Sequence, residues 1–320
     1  MQVIAPDEID FAAYLKETEA QQKVKPAKAF VDEMLDWLYT PSMDKSHCLP
    51  WAKSSSLFRF RQGEVTLWAG INGHGKSLVT GQTALSLMGQ GSKVCIASFE
   101  MKPRKTIERM TRQFSGQEPA RIYDDPRLIE GYRDIANQFA DWTDGKLWLY
   151  DQQGTVTPET IISVTRYCAK ELGIEHMFID SLMKCVKSED DYNGQKYLID
   201  ELCAIAKDHD MHIHMVHHIK KLASEDQTPG KFDAKGSGAI TDQVDNMLIH
   251  WRNKKKELDE QVGKAVAVDE PDAMLICTKQ RNGEWEGRIT LWYDRASQQF
   301  KESAGNRPVS FDVWPHQPWS

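Results

Sequence analysis

The run Gly70-Ile71-Asn72-Gly73-His74-Gly75-Lys76-Ser77 fills every fixed position of a GxxxxGK[ST] phosphate loop. No other feature of this sequence constrains the fold as tightly, because such a loop works only between the end of a strand and the start of a helix. Both flanks are present. Glu64 to Ala69 is an apolar run suited to a strand, and Leu78 to Met88 continues with an apolar helical face. In that setting the backbone N–H groups and the positive end of the helix converge on one point and bind phosphate. Gly70, Gly73 and Gly75 let the backbone approach without a Cβ in the way, and Asn72 and Leu78 count with them as nucleotide contacts. Lys76 is expected to neutralise the β/γ oxygens of ATP and Ser77 to hold Mg²⁺. The bland alternative, a glycine-rich strand-to-helix turn that binds nothing, is disfavoured because every fixed position is filled and both flanking elements are present.

At 320 residues, 40% of them hydrophobic, the chain suits one α/β domain with a real core and extensions at its ends. No apolar stretch approaches the roughly 18 residues of a membrane span. The start, Met1-Gln-Val-Ile-Ala-Pro-Asp, lacks the basic and apolar regions of a signal peptide, so a cytoplasmic protein without a membrane partner is expected. Cys48, Cys95, Cys168, Cys185, Cys203 and Cys277 are scattered with no CxxC pair, which reads as buried free thiols. A formal net charge of −7 argues against a surface that coats itself with duplex DNA. It leaves room for a protein that grips one strand through a few basic loops.

From residue 57 onward, apolar strands alternate with helices. Strands are expected near 64–69, 93–98, 146–150, 176–180, 212–217, 246–251, 273–278 and 288–293, and helices near 77–88, 103–114, 158–172 and 194–209. Near-continuous apolar strands separated by helices imply a mainly parallel sheet covered on both faces, with the last strands antiparallel at one edge. Residues 1–25 are polar and aperiodic. Phe30, Met34, Leu35, Trp37 and Leu38 then recur at helical spacing over 28–38, giving an amphipathic helix whose apolar face packs on its own domain or on a neighbouring subunit. The division is an N-terminal extension over 1–50, an ATPase domain over 51–302 and a tail over 303–320 that is either disordered or draped on a surface. The polar, glycine-containing stretch 222–238 is too long for an ordinary connection and is a candidate functional loop.

Chemistry-bearing residues cluster at strand ends. Glu100 follows the second strand, at the edge where ligands bind in open α/β sheets, and could polarise a water; it could equally be an acid favoured in the first turn of a helix. Met177-Phe178-Ile179-Asp180-Ser181 is an apolar strand ending in the acid that a Walker B site needs for Mg²⁺. Strand 212–216 runs into His217-His218-Ile219-Lys220-Lys221, where a histidine can donate to a γ-phosphate oxygen. A zinc site among His212, His214, His217 and His218 is disfavoured, since strand spacing does not gather four side chains and no cysteine joins them. Lys231, and the loop Lys235-Gly236-Ser237-Gly238, suit phosphate contacts. Lys279 and Arg281 place two cations after a strand, either functional or simply solvated.

In this order, phosphate loop, Glu, Asp, His with a basic loop, Lys-Gly-Ser-Gly and Lys-x-Arg, the chain over about residues 60–302 resembles the DnaB-like hexameric replicative helicases, most closely the helicase half of phage primase-helicases and mitochondrial Twinkle. The resemblance implies a RecA-like P-loop NTPase core and an ATP-dependent, Mg²⁺-using DNA helicase. It implies a homo-oligomeric, hexameric ring that moves 5′ to 3′ on single-stranded DNA in phage or plasmid replication. By the same likeness Glu100 is the catalytic glutamate, Asp180 the Walker B residue and His218 the γ-phosphate sensor. Lys220, Lys221, Lys231, Lys235, Gly236 and Ser237 fall in the DNA-binding loops. Arg281 matches the arginine finger offered to the adjacent subunit's ATP, with Lys279 beside it, and Arg252 and Tyr293 match the pair that sandwiches the base. Residues 1–50 are too few for a helix-bundle domain, zinc module or primase core, so separate primase and polymerase or single-strand-binding partners are implied. The segment Cys48-Leu-Pro-Trp-Ala-Lys lacks the family's Gly/Leu-Asp signature. The rival readings are a RecA-like recombination or clock-type ATPase, and an ATP-binding helicase loader that does not unwind.

Overall fold

Strands whose side chains are apolar on both faces must lie in the middle of a sheet, and they do. In the computed structural model, which describes residues 2–4, 27–40, 45–119, 124–188, 190–219, 229–230, 238–309 and 311, β4 (Val65–Gly70), β5 (Val94–Ser98), β6 (Leu147–Tyr150) and β7 (His176–Asp180) are buried along their whole length. With β1 (Gln2–Ile4), β8 (His212–His218), β9 (Asn246–Arg252), β10 (Ala273–Gln280), β11 (Gly287–Asp294) and β12 (Gln299–Lys301) they form one sheet in the order β1-β6-β5-β7-β8-β4-β9-β10-β11-β12. Pairing is parallel from β1 through β9 and antiparallel from β9 to β12. The eight expected strands and four expected helices of the core all form.

Period-two alternation splits β4 between two cores. Val65, Leu67 and Ala69 face a cluster with Ile162, Leu198 and Leu202, while Trp68 faces another with Leu85, Phe114, Leu149 and Phe178. Helices cover both faces: α2 (Lys76–Gly89), α3 (Pro103–Ser115), α4 (Pro126–Thr143), α5 (Pro158–Glu171) and α6 (Tyr192–Asp208). Their starts follow capping chemistry. Pro103, Pro126 and Pro158 occupy the first helical turn, and the side chains of Asp125, Thr157 and Asp191 accept from the backbone N–H of Arg127, Thr160 and Gly194.

Several elements depart from the sequence reading. Residues 2–4, which lie in a stretch that reads as an aperiodic arm, pair in parallel with β6 at the sheet edge. Helix α4 has no counterpart among the expected helices, although Leu128, Ile129, Tyr132, Ile135, Phe139 and Trp142 recur at helical spacing; it lies outside the sheet layer, with Leu128 exposed and Phe139 buried. The short helix over Gly238–Gln243 and the polar helix over Lys254–Gln261 also lack a readable apolar period. The helix over Ala27–Tyr39, here α1, leaves Val31, Met34, Leu35 and Leu38 exposed, so those side chains do not pack on their own domain.

Both ends of the core domain are tied down. Cys48 N donates to Gln90 Oε1 (2.8 Å) and Trp51 Nε1 to the Phe300 carbonyl (2.7 Å), so the segment without the family signature still docks. At the other end Gln299 exchanges two hydrogen bonds with the Val309 backbone (2.7 and 2.8 Å), and Phe311 is buried near Trp142. The described part of the tail thus meets the core at Val309 and Phe311. The cysteines are free, five buried and Cys203 half-buried.

Beneath the sheet, at the amino ends of β7 and β8, lies a chain of buried rings. Trp68 Nε1 can only donate, so His214 Nδ1 accepts (3.2 Å) and its Nε2 carries the proton. That Nε2 donates to His176 Nδ1 (3.0 Å), His176 Nε2 to His47 Nδ1 (3.2 Å), and His47 Nε2 to Ser92 Oγ (2.9 Å). Each tautomer is thereby set by the one before it. His47 and Phe60 sit on a two-stranded ribbon, β2 (His47–Cys48) and β3 (Arg59–Phe60), and the Phe60 ring packs edge-on against His176, His212 and His214. His212 and His214 are thus spent on packing at one end of β8, with His217 and His218 at the other.

Candidate active site

Parallel strands bring their carboxyl ends to one edge, so residues distant in sequence meet there. The register pairs Ser98 with Asp180, and Gly70 with His218. That sets the phosphate loop, Glu100, Asp180, His218 and Arg252 around one cavity of about 370 Å³, also lined by Asn72, Gly73, Gly75, Lys76, Ser77, Leu78 and Arg109.

The loop is shaped by contact. A Cβ on Gly70 would lie 2.5 Å from the His250 carbonyl, so only glycine lets β9 support the loop from below. Gly73 has φ +79°, a backbone conformation that L side chains rarely adopt, and a Cβ there would meet nothing within 4 Å. His74 is buried and its Nδ1 accepts from the Arg252 backbone N–H (3.1 Å), pinning loop to strand. Burial and the nearby Lys254, Lys76 and Arg252 charges pull its pKa down to about 4, so it is neutral. Lys76 folds back, its Nζ donating to the carbonyls of Gly70 (2.9 Å) and Ile71 (3.1 Å).

Ser77 Oγ donates to Asp180 Oδ2 (2.7 Å), so a hydroxyl and a buried carboxylate already face each other as a magnesium ion needs. Burial pushes the Asp180 carboxyl pKa up. Glu100 is poised differently: His218 Nε2 stands 3.5 Å from its Oε1 and Ser181 Oγ donates to the same oxygen (2.9 Å). His218 above all, and Ser181 after it, outweigh the opposing effect of burial and hold the Glu100 pKa down to about 2. Sequence reasoning does not single out Ser181, whose only signal is adjacency to Asp180. It misses Arg109 too, because only the packing of α3 brings that residue here.

Arg252 and Tyr293 come together directly. The guanidinium lies 4.2 Å from the ring centroid and pairs with Glu257, so the two stack on each other with no room for a base between them. Lys279 and Arg281 lie elsewhere. Gln280 is paired with Asn246, and Asn246 with Thr66, which is the amino end of β4, about 13 Å of strand away from Gly70. There Lys279 Nζ donates to the carbonyls of Thr241 and Asp242 (2.9 and 2.8 Å). Arg281 reaches the carbonyls of Asp242 and Gln243 (both 3.2 Å) and Asp245 Oδ1 (3.1 Å), with 43% of its side chain exposed. Lys220, Lys221, Lys231, Lys235, Gly236 and Ser237 lie outside the described residues.

The sequence model of the DnaB-like helicase C terminal domain matches residues 56–302. Two solved structures align over 87% of the chain with a TM-score of 0.69. One is described as an ATPase domain (15% identity, 99% of that chain covered). The other is described as a DnaB-like replicative helicase and its interactions with primase (17% identity, 67% of that chain covered). At such identities these likenesses speak for the fold, a RecA-like core with a mainly parallel sheet.

Proposed function

We propose, from the premise that this chain belongs to the DnaB-like helicase C terminal domain family, that it hydrolyses ATP between the subunits of a ring threaded by single-stranded DNA. Membership makes it an ATP-hydrolysing DNA helicase of the replicative class. The ring is supported by one observation above others: the phosphate-loop cluster and the Lys279/Arg281 pair occupy opposite edges of the same sheet. A chain built so has a cation that cannot serve its own loop and can serve the next copy's.

In this reading Lys76 leaves the Gly70 and Ile71 carbonyls for the β/γ oxygens, which outcompete neutral acceptors for an ammonium. Ser77 and Asp180 fit a Mg²⁺ ion, which when bound supplies neutralising charge on the phosphates. Glu100, ionised and fixed by Ser181 and His218, accepts the proton of the attacking water. Arg281 of the neighbouring copy stabilises charge developing on the γ-phosphate. The Arg252 and Tyr293 stack offers its outer face to the base. His218 touches Glu100 on one side and leads directly into residues 219–237 on the other. It therefore couples the γ-phosphate to the segment whose Lys220, Lys221, Lys231 and Lys235 would grip the strand. Translocation 5′ to 3′, a hexameric ring, a phage or plasmid setting, and separate primase and polymerase partners complete the reading. The domain spans 51–302, and the exposed face of α1 meets an adjacent subunit.

The test is steady-state ATPase with and without single-stranded DNA, read beside native mass. Stimulation by the strand in a species of several subunits is expected. A monomer with the same turnover at every DNA concentration would overturn the ring.

A further inference from the structure

The turn that carries Arg281, between β10 and β11, hangs on two buried carboxylates. Burying a carboxylate is costly unless its oxygens are answered by donors. Asp245, with 4% of its side chain exposed, answers them in two directions: Oδ2 takes the Val65 N–H (2.9 Å), and Oδ1 faces Nη1 of Arg281 (3.1 Å). Its backbone repeats the link, since Asp245 N donates to the Val65 carbonyl and Arg281 N to the Asp245 carbonyl, both at 2.9 Å. One residue on, Asn282 Nδ2 donates to Oε1 of the buried Glu64 (2.7 Å). Glu64 and Val65 lead into the strand that ends at Gly70, so the turn is anchored to the same β4 that carries the phosphate loop. The guanidinium is held from one side. Among the described residues its acceptors are the carbonyls of Asp242 and Gln243 and the Asp245 carboxylate, all within 242–245, while 43% of the side chain stays exposed.

We propose that Asp245 is a positioning residue for Arg281, with Asn282 as a second anchor, and that together they hold the guanidinium aimed outward before a neighbouring copy's nucleotide meets it. An arginine loose on a surface turn has many rotamers to lose when it engages an anion. A donor fixed in advance needs no reordering as charge develops, which is where such groups gain their effect. Asp245 does not touch the nucleotide in this scheme and acts only through Arg281. Its charge and both of its oxygens are needed for that. An asparagine offers one acceptor oxygen, so either the Val65 N–H or the guanidinium would face an amide NH₂ instead. The Glu64 bond to Asn282 fixes the turn from the other side, which keeps the Arg281 backbone in place while its side chain is held.

This inference deepens the role in trans proposed for Arg281 and rests on it. Its test is steady-state ATPase of the full chain on single-stranded DNA with Mg²⁺, for Asp245→Asn and Asn282→Ala, each alone and each combined with Arg281→Ala, beside native mass. Asp245→Asn should lower kcat by about 10- to 100-fold, the size of one lost charge-assisted hydrogen bond, and leave KM within about twofold. Asn282→Ala, at an exposed position, should lower kcat by about threefold. In the Arg281→Ala background neither should lower turnover further, because a residue that acts only through Arg281 has nothing left to aim. Asp245→Asn subunits should regain activity when mixed with Lys76→Ala subunits and none when mixed with Arg281→Ala subunits. Unchanged kcat in Asp245→Asn would overturn the inference, as would a loss that recurs undiminished in the Arg281→Ala background, the mark of a purely structural role. Should Asp245→Asn fail to assemble, Asn282→Ala decides by the same two comparisons. If Arg281→Ala itself turns over like wild type, the role in trans fails, an outcome separate from any behaviour of Asp245.

Discussion

The two edges of the central sheet are built by the same strands and treat charge in opposite ways. At the carboxyl edge, polar groups keep exchangeable partners: Lys76 rests on two carbonyls, Arg109 on a thioether, and Asp180 against a serine. At the amino edge several buried polar groups have fixed complements. Glu64 accepts from Asn246 (2.8 Å) and Asn282 (2.7 Å), Asp245 Oδ2 takes the Val65 N–H (2.9 Å), and the histidines form a closed series. Satisfied groups hold shape, whereas groups with replaceable partners can receive a ligand. Arg281, at the amino edge, is paired on one side and open to solvent on the other.

The comparison is most exposed at Arg281. If the amino edge is only structural, Arg281→Ala changes stability and leaves turnover per folded subunit near wild type. If it serves a neighbour, turnover falls by about 10³–10⁵ with ATP binding intact. Mixing Arg281→Ala with Lys76→Ala subunits should then restore some ATPase, since an intact loop can meet an intact arginine across one interface. Verified mixed rings that stay inactive at every ratio would reject the role in trans. Next in size is Glu100→Gln, which keeps the shape of the side chain and removes its basicity. Hydrolysis should drop by about 10²–10⁴ while affinity for ATP holds. Normal turnover would make Glu100 a helix-starting acid and nothing more.

The smallest effect is read by pH, through buried histidines at both edges. Burial above all pulls the His212 and His250 pKa values down to about 3, and His176 and His214 well below their ordinary range. An unfolded chain binds protons at these sites from about pH 6.5 downward while the folded chain does not, so stability falls as pH drops through that window. Between pH 7 and 5 each such histidine should remove up to about 2 kcal/mol, read as a lower urea midpoint. His212→Asn should flatten the slope. A midpoint independent of pH would mean that these rings are not buried and neutral.

Much of this is legible in the sequence because the parallel core carries a strong signal. Strands such as Met177-Phe178-Ile179 are apolar on both faces, and strand ends carry the chemistry, so Lys76, Ser77, Glu100, Asp180 and His218 can be named without sight of their contacts. What escapes has physical causes. The helix over 254–261 is polar but for the exposed Leu258, with only Lys256 buried, through its pairing with Asp272. Arg109 belongs to the site through the packing of α3, which no local pattern encodes. The Arg252 and Tyr293 stack depends on two strands with β10 between them in the sheet. The histidines of β8 read as one cluster, yet a strand separates its ends by about 3.3 Å per residue, so His214 and His218 serve different edges.

The ring series from Trp68 to Ser92 has a consequence for how this protein can vary. Each imidazole accepts on one nitrogen and donates on the other in a single direction, so replacing one link leaves a donor facing a donor or an acceptor with nothing opposite. The cost then depends on which other links have changed, and effects at these positions will not add. A histidine lost from β7 is tolerated where the ribbon or β8 has already changed to match it. In mutational terms the four side chains of β2, β4, β7 and β8 should behave as one coupled unit.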